Sequence, residues 1–197
     1  FLEMCSKKCS DNTLKLYASN FKKINKCINA AYKINKEWNF KIPKGYSEYV
    51  RNKPMSDMEL AILMKSCKEG STTYNALFLA KNFGCRIASL SRIKGSDIFF
   101  EKNSNDETVN AYLRIVDDKG RRSRMAVGIS REEKDLEYLR YLQSFGAERI
   151  IPIRPKSINQ NIRRHLMACN LDYKHNHCHA IRKNYAQNLF DSYRQNK

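Results

Sequence analysis

From Leu14 to Ala31 the apolar residues Leu14, Tyr17, Phe21, Ile24, Ile28 and Ala31 fall alternately three and four apart. That spacing lines one face of an α-helix, so the pattern predicts a long helix over residues 10–37. Ser10 or Asp11 can accept from its first free amides and start it. Lys15, Lys22, Lys26 and Lys33 fall on another face. Over 38–55 the period fails, and Pro43, Gly45 and Pro54 mark an extended linker or boundary. Ser56 with Glu59 spells a capping box that opens a helix over roughly 57–68. A mostly apolar run, Thr72 to Phe83, predicts a buried helix that Gly84 ends in the left-handed conformation. The stretch "CRIASLSRIKGSDI" reads as a short helix and a polar turn.

Between 108 and 129 the period drops to two. Val109, Ala111, Leu113 and Ile115 alternate with other residues, "DDKG" intervenes, and Arg124 to Ile129 resumes as strand. This is the pattern of a β-hairpin, with Gly120 where a positive φ is needed. Helical periods return over about 131–145, stopping at Gly146, then over 156–169 and 177–195. The expected fold is mainly α with a small antiparallel β-sheet. It divides into a helical arm over 1–45, a linker over 46–55 and a domain over 56–197.

Charge changes the picture. The 197 residues hold 37 Lys and Arg against 20 Asp and Glu, a formal net charge of +17. With 42% apolar residues the chain can still build a core, so this is not the charge of a disordered tail. Such an excess repels itself unless a polyanion neutralises it, which points to nucleic acid. In that setting the lysine face of the first helix is expected to meet phosphate and not only solvent. No apolar run is long enough to span a bilayer and no signal-peptide pattern opens the chain, so no membrane partner is expected. Seven cysteines lie scattered at 5, 9, 27, 67, 85, 169 and 178, an odd number that suits reduced thiols and a cytoplasmic setting. The chain opens on Phe1 and not on Met, so a piece of a longer protein is expected.

Four groups stand out by position. Arg86 follows the Gly84 break in an apolar neighbourhood and needs an anionic partner, either a ligand or a carboxylate such as Asp97. Lys119 sits at the hairpin tip beside Arg121, Arg122 and Arg124. Those four make either a finger able to enter a DNA groove or an ordinary polar turn. His179 and Arg182 are three apart and share a helix face, with Lys183 next to them. Together with Arg86 they can offer two guanidinium forks and an imidazole to one phosphate. The crowding of Cys169, His175, His177, Cys178 and His179 raises zinc as an alternative, but no CxxC pair or known structural spacing supports it. No metal or other cofactor is expected. A Ser-His-Asp or Cys-His hydrolase has no nucleophile elbow to stand on.

The ordered set "GCR", then "DDKG" on a hairpin, then "HAIR" on a late helix resembles the catalytic domain of the tyrosine recombinases, the phage-integrase family. The resemblance covers about 56–197, and more loosely 1–45 as the end of that family's helical core-binding domain. It implies a site-specific recombinase that cuts and rejoins DNA strands through a 3′-phosphotyrosine intermediate. Arg86 and Arg182 would hold the non-bridging oxygens of the scissile phosphate. Lys119 would protonate the leaving 5′ oxygen, and His179 would bind the phosphate and manage the nucleophile's proton. The phosphotyrosine conserves the bond energy, so neither ATP nor metal is required. Double-stranded DNA would be gripped by a C-shaped clamp, and a homotetramer on DNA is the implied assembly. Two positions depart from the family pattern. Ser89 stands where an acid is usual, and the nucleophile, usually roughly thirty residues past His-x-x-Arg, would lie beyond Lys197. Tyr185 is expected to pack with its hydroxyl at the surface, and Tyr193 is too close in sequence to serve. On this reading the chain binds DNA without cleaving it. The alternatives are a non-catalytic DNA-binding accessory protein with the same fold, or a relative of the type IB topoisomerases.

Overall fold

The computed structural model describes residues 1–43, 53–102, 109–118, 122–130, 132–173 and 176–195. It separates into two compact units, Phe1–Val50 and Arg51–Lys197. Most of the expected linker over 46–55 lies outside the described residues.

In the first unit a short helix α1 (Leu2–Ser6) precedes α2 (Asp11–Tyr32). Ser10 caps α2, its Oγ accepting the Thr13 amide at 3.3 Å. The helix is five residues shorter at its end than the period suggested. Lys33 adopts φ 53°, ψ 36°, and its amide closes on the Asn29 carbonyl. Lys33 is therefore the cap of α2 and not part of its lysine face, whereas Lys15, Lys22 and Lys26 are exposed along the helix. The buried stripe is also rotated from the expected one. Leu14, Ala18 and Asn25 are buried, while Ile24 is 47% exposed.

The second unit carries the main core. Helix α3 (Asp57–Lys65) begins with the capping box as its sequence demands. The Ser56 Oγ accepts the Glu59 amide at 3.3 Å, and the Ser56 amide donates to Glu59 Oε2 at 2.9 Å. Ser56→Ala is expected to lower stability by about 1 kcal/mol in urea unfolding, with the slope unchanged. Helix α4 (Thr72–Phe83) is buried along most of its length, with Leu77, Phe78, Leu79, Ala80 and Phe83 inaccessible or nearly so. A helix apolar on nearly every side has to be central. Around it lie α5 (Ile87–Leu90), α6 (Glu133–Gln143), α7 (Pro155–Ala168) and α8 (Cys178–Gln195).

The sheet has three strands where only a hairpin was expected. β1 (Ile98–Lys102) pairs antiparallel with β2 (Val109–Asp118), and β2 with β3 (Arg122–Val127), in the order β1-β2-β3. β1 escaped notice because "IFFEK" is too short to show a period. Its register sets Ile98 opposite Leu113, and Leu113 opposite Ala126. All three are buried, so this is the core-facing side of the sheet. A bulge interrupts the β2–β3 ladder between Ile115 and Asp118.

Candidate phosphate-binding site

Three elements bring the site residues into position. The first is the turn after α4. Gly84 ends the helix at φ 58°, ψ 39°, its amide donating to the Ala80 carbonyl. Cys85 is buried, and Arg86 becomes the residue before α5, in extended conformation. The left-handed glycine turns the chain sharply, so the Arg86 side chain leaves an otherwise apolar segment and stays half-exposed.

The second element is α8. Its entry is fixed by the Met55 amide, which donates to the Ala180 carbonyl at 3.2 Å. Asp57 holds it one turn further on, accepting the Asn184 and Asn188 amides at 2.7 and 3.1 Å. These bonds hold the Asp57 carboxyl below its ordinary pKa. His177 precedes the helix and acts as its cap. Its Nδ1 accepts the His179 amide at 3.1 Å, and its ring stacks on His179 with centroids 6.1 Å apart. The cap defines the tautomer, because an acceptor Nδ1 carries no proton. Sequence reading missed this role, since histidine is not among the usual capping residues. The one cue was its place just ahead of the His-x-x-Arg run.

On this helix His179 is exposed, and Arg182 is half-buried with its Nη1 fully shielded from solvent. Lys183 is half-buried beside it. Arg86, far along the chain, lies near enough for its charge to act on His179. His179 has its pKa held below the ordinary value by partial loss of solvent, then by the charges of Lys183, Arg182 and Arg86. Such an effect requires the cations to lie within a few ångströms to a Debye length of the ring. An anion beside this ring would feel the positive potential of all three side chains. The neutral form of the imidazole, which can accept a proton, is thereby favoured. By NMR, its titration midpoint is expected below about 6.5, rising in Arg182→Ala as one repelling charge is removed.

The third element is β3. Lys119 and Arg121, with Gly120 between them, lie outside the described residues. Arg122 is exposed. Arg124 is not the outward-facing hairpin charge that the sequence suggested. It pairs with buried Ile115 and stands two residues before buried Ala126, so it is on the core-facing side. Its Nη2 donates to the Gly84 carbonyl at 3.3 Å. Strand alternation counted back from Ala126 would have placed it there.

A further expectation is corrected at Tyr185. The Tyr185 hydroxyl is not at the surface: the residue is buried, and the hydroxyl donates to the Val127 carbonyl at 2.8 Å. Burial pushes its pKa above the ordinary value. Asp97, the carboxylate considered for Arg86, receives Nε and Nη2 of Arg114 at 3.1 and 3.0 Å, and also the Lys94 amide. Ser89 is buried in α5, and Tyr193 is 61% exposed near the far end of α8. Among the described residues no cluster of His, Cys, Asp or Glu is arranged to hold a metal. Cys178 is buried, its thiol pushed up to about 12. Also among those residues, no helix is long and apolar enough to cross a membrane.

No protein-family model matches the sequence, and no curated protein does. Solved structures do resemble the fold. The structure of XerA recombinase aligns over 93% of this chain and 62% of its own, at 17% identity and a TM-score of 0.48. A lambda integrase tetramer bound to a Holliday junction aligns over 87% of this chain and 50% of that one, at 15% identity and a TM-score of 0.59. Lambda integrase bound to DNA aligns over 74% and 54%, at 17% identity and a TM-score of 0.52. The chain thus spans less than two thirds of the length of each. What the two lambda integrase structures share with this chain is architecture: it has the mainly α fold with a small antiparallel sheet of the tyrosine-recombinase catalytic domain.

Proposed function

We propose that this chain is the DNA-binding and phosphate-holding part of a tyrosine-type site-specific recombinase or integrase. What supports the reading is that the charges of Lys183, Arg182 and Arg86 all act on the His179 ring, in a chain whose fold is shared with lambda integrase. A phosphodiester is the anion that suits this group. Two guanidinium groups can each take a non-bridging oxygen and stay charged throughout, while a neutral imidazole can accept the proton of an attacking hydroxyl. As the phosphorus becomes five-coordinate, negative charge grows on those oxygens, and fixed cations favour that state over the ground state. Lys119 is assigned the proton delivered to the leaving 5′ oxygen, by resemblance alone.

The attacking group is neither Tyr185, whose buried hydroxyl is engaged with Val127, nor Tyr193, exposed eleven residues past Arg182 on the same helix. Eleven residues of helix amount to roughly 16 Å. By the same resemblance, the 197-residue chain is expected to bind duplex DNA without forming a covalent adduct. Incubation with a nicked suicide duplex, followed by denaturing electrophoresis, tests this. Any covalent protein–DNA adduct formed by this chain would overturn it.

Affinity for DNA comes chiefly from phosphate contacts, so it is expected to fall steeply with salt. Lys15, Lys22 and Lys26 on the exposed face of α2 join Arg122 and Lys183 in that role. Lys22→Ala is expected to weaken binding to all sequences alike and to reduce the salt slope by about 1, measured by fluorescence anisotropy. Assembly as a homotetramer on paired sites belongs to the same reading.

A further inference from the structure

Arg86 and Arg182 stand on different elements, so for both to hold one phosphate something must keep those elements in register. The Tyr185 ring lies flat against Gly84, two residues before Arg86. A Cβ on Gly84 would overlap Tyr185 Cδ1 and lie 2.8 and 2.9 Å from Cε1 and Cγ. The same tyrosine donates its hydroxyl to the Val127 carbonyl at the end of β3. Arg124, from the middle of β3, closes the triangle by donating to the Gly84 carbonyl. One buried side chain on α8 thus touches the turn that carries Arg86 and the second strand of the hairpin. It stands a single helical turn past Arg182.

We infer that Tyr185, together with Arg124, is a positioning residue that sets the Arg86 turn against α8 and so fixes the distance between the two phosphate-binding guanidinium groups. The inference rests on the proposed phosphate clamp and adds to it the device that holds the clamp at one width. Packing alone would be served by phenylalanine or leucine. The hydroxyl has a different use: it ties α8 to a backbone carbonyl of β3, so the helix cannot slide along the strand without breaking that bond. A guanidinium pair matched to one phosphate loses its advantage when displaced by about 1 Å. Register, and not only burial, therefore matters here.

If Tyr185 acts through Arg86, its effect on anion binding depends on Arg86 being present. The test is a double-mutant cycle on the 197-residue chain, with inorganic phosphate as the probe and the His179 imidazole followed by NMR. In the wild type, phosphate is expected to shift the His179 resonance saturably. Arg86→Ala weakens that binding by about tenfold, since a charge-assisted bond is lost. Tyr185→Phe, which keeps the ring and removes the hydroxyl, weakens it by about threefold while circular dichroism is unchanged. In the Arg86→Ala background, Tyr185→Phe is expected to have no further effect. Equal losses in both backgrounds, or no loss in either, overturn the positioning role while leaving the clamp standing. A wild-type His179 that does not respond to phosphate, or an Arg86→Ala protein that binds as the wild type does, overturns the clamp itself. Arg124→Lys keeps the charge but shortens the reach to the Gly84 carbonyl. It carries the same comparison, with the same outcomes, should Tyr185→Phe fail to fold.

Discussion

Arg182→Ala, placed in a protein that carries this chain together with its nucleophilic tyrosine, is expected to abolish strand cleavage while leaving most of the DNA affinity. The two effects separate because they draw on different charges. Duplex affinity sums many exposed contacts, among them Lys15, Lys22 and Lys26, and losing one of many changes it little. Cleavage depends on the few groups that face the oxygens of one phosphorus. On the proposed reading Arg182 is one of these, half-buried with Nη1 shielded from water, where an interaction with developing charge is little screened. Removing one such donor costs on the order of 10²–10³ in rate. The covalent adduct formed on a suicide duplex measures cleavage, and anisotropy measures binding. Arg182→Lys restores charge but not the planar fork, so it is expected to recover only part of the rate. Cleavage at wild-type speed in Arg182→Ala would remove the residue from the site.

The same reasoning shows why some of the chain could be read from sequence and some could not. Helices announced themselves through local chemistry. Ser56 with Glu59, the apolar run of α4 and the left-handed Gly84 each behave as their residue types require. Where two local signals competed, the sequence misled. The α2 stripe admits two neighbouring phases that share Leu14, Phe21 and Ile28, and packing chose the one that buries Asn25 and exposes Ile24. Lys33 looked like one more helical lysine, yet the left-handed cap falls on it. The site was legible as a list of residues and not as an arrangement. His-x-x-Arg is a matter of helical spacing, which a sequence displays. The approach of Arg86 to His179 depends on how the turn after α4 meets α8, and no local pattern encodes that. Arg124 shows the same limit. Its charge suggested DNA, whereas its register opposite Ile115 turns it toward Gly84.

Gly84→Ala is expected to be the most damaging single methyl that can be added near the site. Two independent terms act at this position. The backbone sits at φ 58°, where a Cβ is opposed by the following carbonyl at roughly 1–2 kcal/mol. The new methyl also has no room, since the Tyr185 ring occupies its place and is held there by the hydroxyl bond to Val127. Overpacking of this kind costs about 1–3 kcal/mol. A total destabilisation of about 2–5 kcal/mol is therefore expected in urea unfolding. Two variants separate the terms. Gly84→Asn tolerates the left-handed backbone better but brings the same Cβ, so it is expected to remain well below the wild type. In a Tyr185→Ala background the ring is gone, and Gly84→Ala is expected to cost only the backbone part, about 1–2 kcal/mol. A full-sized loss in that background would mean that the ring is not what excludes the methyl. The glycine would then be required for the turn alone, and the close approach of α8 to the Arg86 segment would have no part in holding it.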